Sequence, residues 1–175
     1  MTFCITGNRP EKFPFDYKSG ASIEMTAYAA CIRKLAFDYL NAGYDHFIFG
    51  MARGVDIDFG KEIVRYKTTF DKFKNVKIEA AIPYRGQEAR YDNLSRKKFN
   101  YIIENSDKIT YIADEYSRES YLKRDRYMVD NADFVLAIWN GVREGGTYYT
   151  IRYAEEKQKQ LRIISLKTMF DIDAK

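Results

Sequence analysis

The sequence predicts an α/β fold in which helices cover both faces of a mostly parallel β-sheet. Six short apolar segments, several rich in β-branched or aromatic residues, alternate with five longer stretches of helical period. This alternation favours right-handed crossovers between parallel strands. With 175 residues, 46% of them hydrophobic, and no Pro-, Gly- or Ser-rich linker, the chain suits one domain with a sizeable core. We therefore predict a single Rossmann-like three-layer α/β/α sandwich over residues 1–175.

The predicted strands are short apolar segments, and turn-forming residues follow several of them. Gly7 follows the first, Gly50 the second and Pro83 the third, while the fifth is the most hydrophobic. In chain order the predicted strands are Phe3–Thr6, His46–Phe49, Val76–Ile82, Lys108–Ile112, Phe134–Trp139 and Arg162–Ser165.

The predicted helices occupy the stretches between these strands. The first is the clearest, because Tyr28, Ile32 and Leu35 share one face with Tyr39, and Gly43 supplies a C-terminal stop. In chain order the predicted helices are Ile23–Ala42, Val55–Phe70, Glu88–Glu104, Glu119–Asn131 and Thr147–Gln160.

Composition excludes several classes of protein. His46 is the only histidine, so neither a zinc cluster nor a His-dependent catalytic triad is expected, and we expect no metal or cofactor. The longest apolar run, Phe134–Trp139, is far short of the roughly 20 residues of a membrane helix. The first residues carry no secretory pattern, so we expect a cytoplasmic protein without membrane contact. The formal charge of +4 permits a polyanionic ligand without requiring nucleic acid.

The loops that follow the strands are the expected site of chemistry, because ligands of such sheets bind beyond the carboxyl ends of the strands. In the first loop, Gly7 permits a close backbone approach, and Arg9 before Pro10 offers a fork of donors to a phosphate or carboxylate. By itself, this pattern is more typical of a plain turn that carries a surface arginine.

The second loop contains two glycines before a helix, and the third contains three. Gly50–Asp56 differs in spacing from the dinucleotide fingerprint and from the P-loop, and Asp56 could cap the helix or accept hydrogen bonds from ribose hydroxyls. Asn140–Thr147 ends in Gly145, Gly146 and Thr147, which bare backbone amides at a helix start and add a hydroxyl. Either loop alone could be a simple connection, but two at one sheet edge favour a phosphate-binding site.

Two helical segments are basic. Arg118–Tyr127 has a local charge of +2, and Pro83–Asn100, which includes Arg85, has +3. Such segments are more often solvated helix faces than binding surfaces.

Five motifs together resemble the SLOG superfamily, and most closely its YpsA-like branch from Gram-positive bacteria and their phages. They are Thr6–Lys12, Gly50–Asp56, Ala80–Glu88, Arg124–Asp133 and Gly145–Thr147. The same superfamily includes the single-stranded-DNA-binding DNA-processing protein A group and the LOG group of cytokinin-activating phosphoribohydrolases. The resemblance implies a Rossmann-like fold with a nucleotide or nucleotide-derived ligand over the glycine-containing loops.

Together, the loops and the resemblance define a set of expected ligand-binding residues. Within it, Arg9 and Arg124 or Arg126 would contact phosphate, and Asp56 would hold ribose or base. The full set is Gly7, Arg9, Pro10, Gly50, Met51, Ala52, Gly54, Asp56, Arg85, Arg124, Arg126, Asn131, Gly145, Gly146 and Thr147.

The leading hypothesis is a nucleotide-binding protein that acts as a sensor or sequesters its ligand. One alternative is a hydrolase of an N-glycosidic or phosphate bond with Asp56, Glu88 or Asp133 as acid or nucleophile. Chemistry of the LOG type is not expected, because Thr150 stands where that group has its catalytic glutamate. Another alternative is weak binding of single-stranded nucleic acid, which a homo-oligomer could strengthen.

Overall fold

A computed structural model describes residues 1–18 and 22–169 and contains one six-stranded sheet in which every strand pairing is parallel. The sheet order is β4-β3-β2-β1-β5-β6. The strands are β1 (Thr2–Gly7), β2 (His46–Phe49), β3 (Lys77–Ile82), β4 (Lys108–Tyr111), β5 (Phe134–Trp139) and β6 (Gln160–Ser165). The predicted three-layer α/β fold is confirmed.

In the described residues, five α-helices cover the two faces of the sheet. The first three pack side by side over the larger hydrophobic cluster, and the last two pack together over the smaller one. The predicted apolar face of the first helix, with Tyr28, Ile32, Leu35 and Tyr39, is buried. The helices are α1 (Ile23–Asn41), α2 (Val55–Thr69), α3 (Asn93–Glu104), α4 (Arg118–Asn131) and α5 (Gly145–Glu156). None of the helices in the described ranges is long and apolar enough to cross a membrane.

The prediction of one helix over Glu88–Glu104 is wrong. A separate 3₁₀ turn covers Gln87–Arg90, the chain is extended at Tyr91, and α3 begins only at Asn93. The cause is local, because the Asp92 side chain accepts a hydrogen bond from the Ser95 amide at 2.9 Å and so caps the start of α3. The predicted last helix is also too long, since the chain turns with a positive φ of 54° at Gln158 and enters β6 at Gln160.

The order of the strands reverses at the centre of the sheet. From β1 the chain builds outward through β2, β3 and β4, and then returns to place β5 on the other side of β1. The loops that follow β1 and β5 therefore diverge and leave a crevice between them, which is where such sheets bind ligands.

Candidate ligand-binding site

A cavity of about 660 Å³ lies at this reversal, at the carboxyl edge of the sheet. Its walls come from the end of β1 and the loop after it, the start of α2, the first three turns of α4 and the start of α5. The size lies within the usual range for small-molecule sites, about 300–1,000 Å³. The polar residues that line it include Asn8, Arg9, Lys12, Asp56, Arg118, Tyr121, Arg124, Asp125, Thr147 and Thr150.

Glycines bring the loop after β1 against the start of α2. A Cβ at Gly7 would overlap the Val55 side chain, and one at Gly54 would lie 2.6 Å from the Asn8 carbonyl oxygen. Gly54 also has a positive φ of 88°, which favours glycine. Gly7 and Gly54 thus permit two backbone segments to meet, and of the two only Gly7 also lines the cavity.

Asn8 joins the two loops that border the crevice. Its side-chain oxygen accepts a hydrogen bond from the Asn140 amide at 2.7 Å, and its own amide donates to the Ile138 carbonyl at 3.3 Å. The Asn140 side chain in turn donates to the Lys12 carbonyl at 3.2 Å. The loop after β5 is therefore held in register with the loop after β1.

Arg124 forms the centre of the cavity floor and is 6% exposed. Its Nε donates to Asp125 Oδ1 at 2.8 Å, and its guanidinium donates to the Gly50 carbonyl. The same guanidinium lies 4.0 Å from Asp56 Oδ2. A Cβ at Gly50 would collide with this guanidinium, so Gly50 makes room for Arg124 rather than for a ligand.

Asp56 has an unusual environment for a carboxyl group. It is 4% exposed, and its Oδ2 accepts a hydrogen bond from the Ala52 amide at 3.0 Å. Its Oδ1 is buried and has no hydrogen-bond partner among the described residues. Burial raises the pKa of Asp56 to about 7, although Arg124 opposes the shift. Burial also raises the pKa of Asp125, again against the attraction of Arg124.

The rim of the cavity carries both signs of charge, because Glu11 and Glu144 line it together with three cations. Arg9 lies over the Tyr121 ring, 5.1 Å from its centroid, and Arg118 stands at the start of α4. Neither arginine forms an ion pair with a described residue. Lys12 forms a loose ion pair with Glu144, 3.6 Å apart, beside the start of α5.

The start of α5 has no side-chain cap. Glu144 occupies the N-cap position without a capping hydrogen bond, whereas Ser22, Asp92 and Ser117 cap α1, α3 and α4. Unsatisfied amides at a helix start favour an anion. The nearest atom to a Cβ built on Gly146 would be Asp125 Oδ2, at 3.7 Å.

The structure brings eight of the fifteen expected residues together around the cavity. They are Gly7, Arg9, Ala52, Asp56, Arg124, Gly145, Gly146 and Thr147. Four others lie next to the site without lining it. They are Gly50 and Gly54, already described, Pro10, whose ring approaches Gly54, and Met51, which has a fully buried side chain and a φ of 60°.

The remaining three expected residues lie elsewhere. Arg85 is exposed, 3.4 Å from Asp114, and Arg126 bonds to the Tyr149 hydroxyl in a separate shallow cleft between α4 and α5. Asn131, in the last turn of α4, bonds back to the Tyr127 carbonyl at 2.8 Å. Because α4 starts at the carboxyl edge of the sheet, its last turn lies near the opposite edge, about 20 Å away at 1.5 Å per residue.

Of the three candidate acids, only Asp56 lines the cavity. Asp133 precedes β5 at the opposite edge of the sheet, where it accepts a hydrogen bond from the Thr2 amide at 2.7 Å. Glu88 lies in the 3₁₀ turn after β3 and does not line the cavity. In the part of the chain that the structure describes, no group of three or more His, Cys, Asp or Glu side chains could hold a metal ion.

Several residues that line the cavity were absent from the expected set. Asn8 and Lys12 belong to the first motif, and Asp125 directly follows Arg124, so the motifs contained them without singling them out. Nothing in the sequence singled out Arg118 or Tyr121 beyond the basic character of their segment. They reach the cavity because α4 begins beside it.

Comparisons with known proteins agree with this architecture. The sequence model of the YspA SLOG family matches residues 3–171. UPF0398 protein BH1768 of Halalkalibacterium halodurans is 23% identical over 123 residues, and a UPF0398 protein of Lysinibacillus sphaericus is 26% identical over 119 residues. These alignments cover 69% and 67% of this chain and 64% and 65% of the relatives. The chain thus spans slightly less than two thirds of the length of either relative.

Proposed function

This chain belongs to the YspA SLOG family, and on that premise we propose that its cavity binds a nucleotide or a nucleotide-derived ligand, so that the protein senses or sequesters that ligand. The observation that carries the proposal is the combination of a cavity at the strand-order reversal with an uncapped helix start and unpaired arginines in its wall. An uncapped helix start and arginine side chains suit a phosphate, and buried carboxyl groups suit hydroxyl or amino groups. A nucleotide carries both kinds of group.

A thermal-shift screen followed by calorimetry tests this proposal. The screen covers nucleoside mono-, di- and triphosphates, cyclic dinucleotides and ADP-ribose derivatives, with inorganic phosphate as the control for simple ion binding. A ligand at about 100 times its Kd should add roughly 2.7 kcal/mol to the free energy of unfolding, a rise of several degrees for a domain of this size. Saturable binding to Arg9→Gln that equals wild type, or no binding of any nucleotide, would contradict the proposal.

A second candidate function is hydrolysis of an N-glycosidic or phosphate bond, and the environment of Asp56 favours it. A carboxyl group with a pKa near 7 that lines a cavity is suited to donate or accept a proton at neutral pH. Chromatography after long incubation of nucleotides with the protein would detect free base or phosphate. Product formation proportional to protein concentration and lost in Asp56→Asn would place hydrolysis ahead of binding alone.

A further inference from the structure

The loop between β2 and α2 is held at three successive residues. The Gly50 carbonyl accepts a hydrogen bond from the buried Arg124 guanidinium. The Met51 carbonyl accepts two hydrogen bonds, and the Ala52 amide donates to Asp56 Oδ2 at 3.0 Å. The backbone of this loop therefore helps to hold the carboxyl group that lines the cavity.

Met51 has a conformation that needs such support. Its φ of 60° lies in the left-handed region, which favours glycine, and its side chain is fully buried. A residue keeps such a conformation only where its surroundings fix it. Here, Gln87 Nε2 donates to the Met51 carbonyl at 2.7 Å, and the Tyr91 hydroxyl donates to the same oxygen at 2.8 Å. Both donors come from the 3₁₀ turn after β3 and the residue that follows it.

The Met51 carbonyl and the Ala52 amide belong to one planar peptide group. In a trans peptide the C=O and N–H bonds point in opposite directions, so donors that fix the carbonyl on one side also aim the N–H on the other. This N–H is the one that donates to Asp56 Oδ2. The hydrogen bonds from Gln87 and Tyr91 thus act on the Asp56 carboxyl group through a single rigid peptide.

The two donors lie outside the cavity and are themselves fixed. Gln87 is 2% exposed and its Oε1 has no hydrogen-bond partner among the described residues, so the bond to Met51 compensates only half of the buried amide. The Tyr91 ring meets the Phe99 ring edge to face, with 5.9 Å between centroids, and the Arg53 guanidinium lies 5.9 Å from the Tyr91 centroid. Neither donor lines the cavity, so their placement serves the loop rather than a ligand.

We infer that Gln87 and Tyr91 are positioning residues that fix the Asp56 carboxyl group through the intervening peptide group. The amide bond that they aim favours the ionised carboxyl group and sets its direction in the cavity wall. This role goes beyond the proposed function, because it does not depend on which ligand the cavity takes. It also gives a role to the motif Ala80–Glu88, of which no residue lines the cavity.

The groups that face Asp56 decide how its titration is measured. They are Arg124 and Asp125 of α4, Cys4 of β1 and Tyr91. Burial raises the pKa of the Cys4 thiol and of the Tyr91 hydroxyl, so both stay neutral while Asp56 titrates. Burial also raises the pKa of Asp125, so the two carboxyl groups have to be observed separately.

NMR of protein that contains carboxyl-labelled aspartate observes them separately, and the signal that Asp56→Asn lacks is that of Asp56. We expect Tyr91→Phe and Gln87→Met each to raise the Asp56 pKa, which is about 7, by roughly half a unit or more. The reason is that the ionised carboxyl group loses part of its amide bond. Tyr91→Phe keeps the ring against Phe99, so it should fold even if Gln87→Met does not.

Tyr66→Phe is the matched control. The Tyr66 hydroxyl also donates to a backbone carbonyl, that of Arg33 at 3.3 Å, but it lies about 15 Å further along α2 than Asp56 at 1.5 Å per residue. This substitution should leave the Asp56 pKa unchanged, whatever it does to stability.

An Asp56 pKa that is unchanged or lowered in either variant would overturn the inference for that residue. An equal rise in Tyr66→Phe would overturn it for both, because it would show a general loosening of the fold. The titration uses no ligand. A negative nucleotide screen therefore leaves this inference intact, and an unchanged Asp56 pKa leaves the proposed function intact.

Discussion

The Asp56 carboxyl group loses most of its hydration on folding, and the protein replaces only part of it. The Arg124 guanidinium at 4.0 Å and the backbone of Ala52 and Gly50 lower the pKa of Asp56, but they do not compensate for burial, so the proton stays bound to a higher pH than in an unfolded chain. The groups that face it are Arg124 and Asp125 of α4, Cys4 of β1 and Tyr91 of the segment before α3. Among them, only Arg124 favours the ionised form.

The elevated pKa predicts how stability changes with pH. Between about pH 4 and pH 7 the folded protein holds a proton on Asp56 that the unfolded chain has released, so the free energy of unfolding falls as pH rises through this interval. Relative to Asp56→Asn, wild type should lose up to roughly 4 kcal/mol across the interval. Urea unfolding of both proteins from pH 4 to 8 measures this difference. A constant difference between the two proteins would show that Asp56 titrates normally.

Gly146 lines the cavity, but the space around its Cα does not require a glycine. A Cβ there would make only ordinary contact with Asp125 Oδ2, at 3.7 Å. We therefore expect Gly146→Val to fold but to weaken nucleotide binding about tenfold or more, because its methyl groups occupy space beside the start of α5. Gly146→Ala is the matched control and should have a smaller effect. Equal calorimetric affinity of Gly146→Val and wild type would exclude this position from the site.

At the scale of elements, the contact between the loop after β1 and the start of α2 shapes one side of the cavity. The Val55 amide donates to the Asn8 carbonyl at 3.4 Å, and the Val55 side chain fills the space beside Gly7. No room remains for a further methyl group. This packing fixes the loop that carries Arg9 against the start of α2.

Gly7→Ala should therefore destabilise the fold. Its Cβ would overlap Val55, and accommodation requires α2 to move, at a cost of about 1–3 kcal/mol. Chemical denaturation measures the loss, and Gly146→Ala, which meets no close atom, should be nearly neutral in the same assay. If the two substitutions proved equally harmless, the contact would be looser than the structure indicates.

At the scale of the whole molecule, the helices of the two basic segments lie on different layers. The helix of the first segment, α3, packs beside α2 on one face of the sheet, and α4 packs beside α5 on the other. The positive charges of these two helices therefore face opposite sides of the sheet, although the segments meet at the carboxyl edge, where the Tyr84 and Tyr121 hydroxyls lie 3.2 Å apart. A groove that neutralises many phosphates needs many clustered cations, and the two segments carry only +3 and +2.

We therefore expect at most weak binding of single-stranded DNA. The association should fade between about 50 and 200 mM salt, with a log–log slope near −0.7 for each phosphate contact. Fluorescence anisotropy with a labelled oligonucleotide across salt concentrations measures it, and Lys97→Glu and Arg126→Glu report on the two layers. Tight binding that persists at 200 mM salt and weakens in both variants would overturn this expectation.

The strand and helix order was readable from the sequence because apolar periodicity and turn residues are local signals. His46–Phe49 and Phe134–Trp139 have the bounds that were predicted, and most other elements differ by one or two residues. The misplaced start of α3 arose because Asp92 could equally stand inside a helix or cap one. Only the backbone conformation decides between these roles.

The glycine-containing loops and Asp56 were also recognisable from the sequence, since a motif preserves the order of its residues. Which of these residues share a cavity is a property of the tertiary structure alone. Crossovers bring together residues that are separated in the chain, and they place Asp125 beside Gly146 and Lys12 beside Gly145. The length of α4 carries Asn131 to the opposite edge of the sheet. The distribution of charge in the cavity follows from this placement, because burial and distance, rather than residue type, determine how strongly each charge acts.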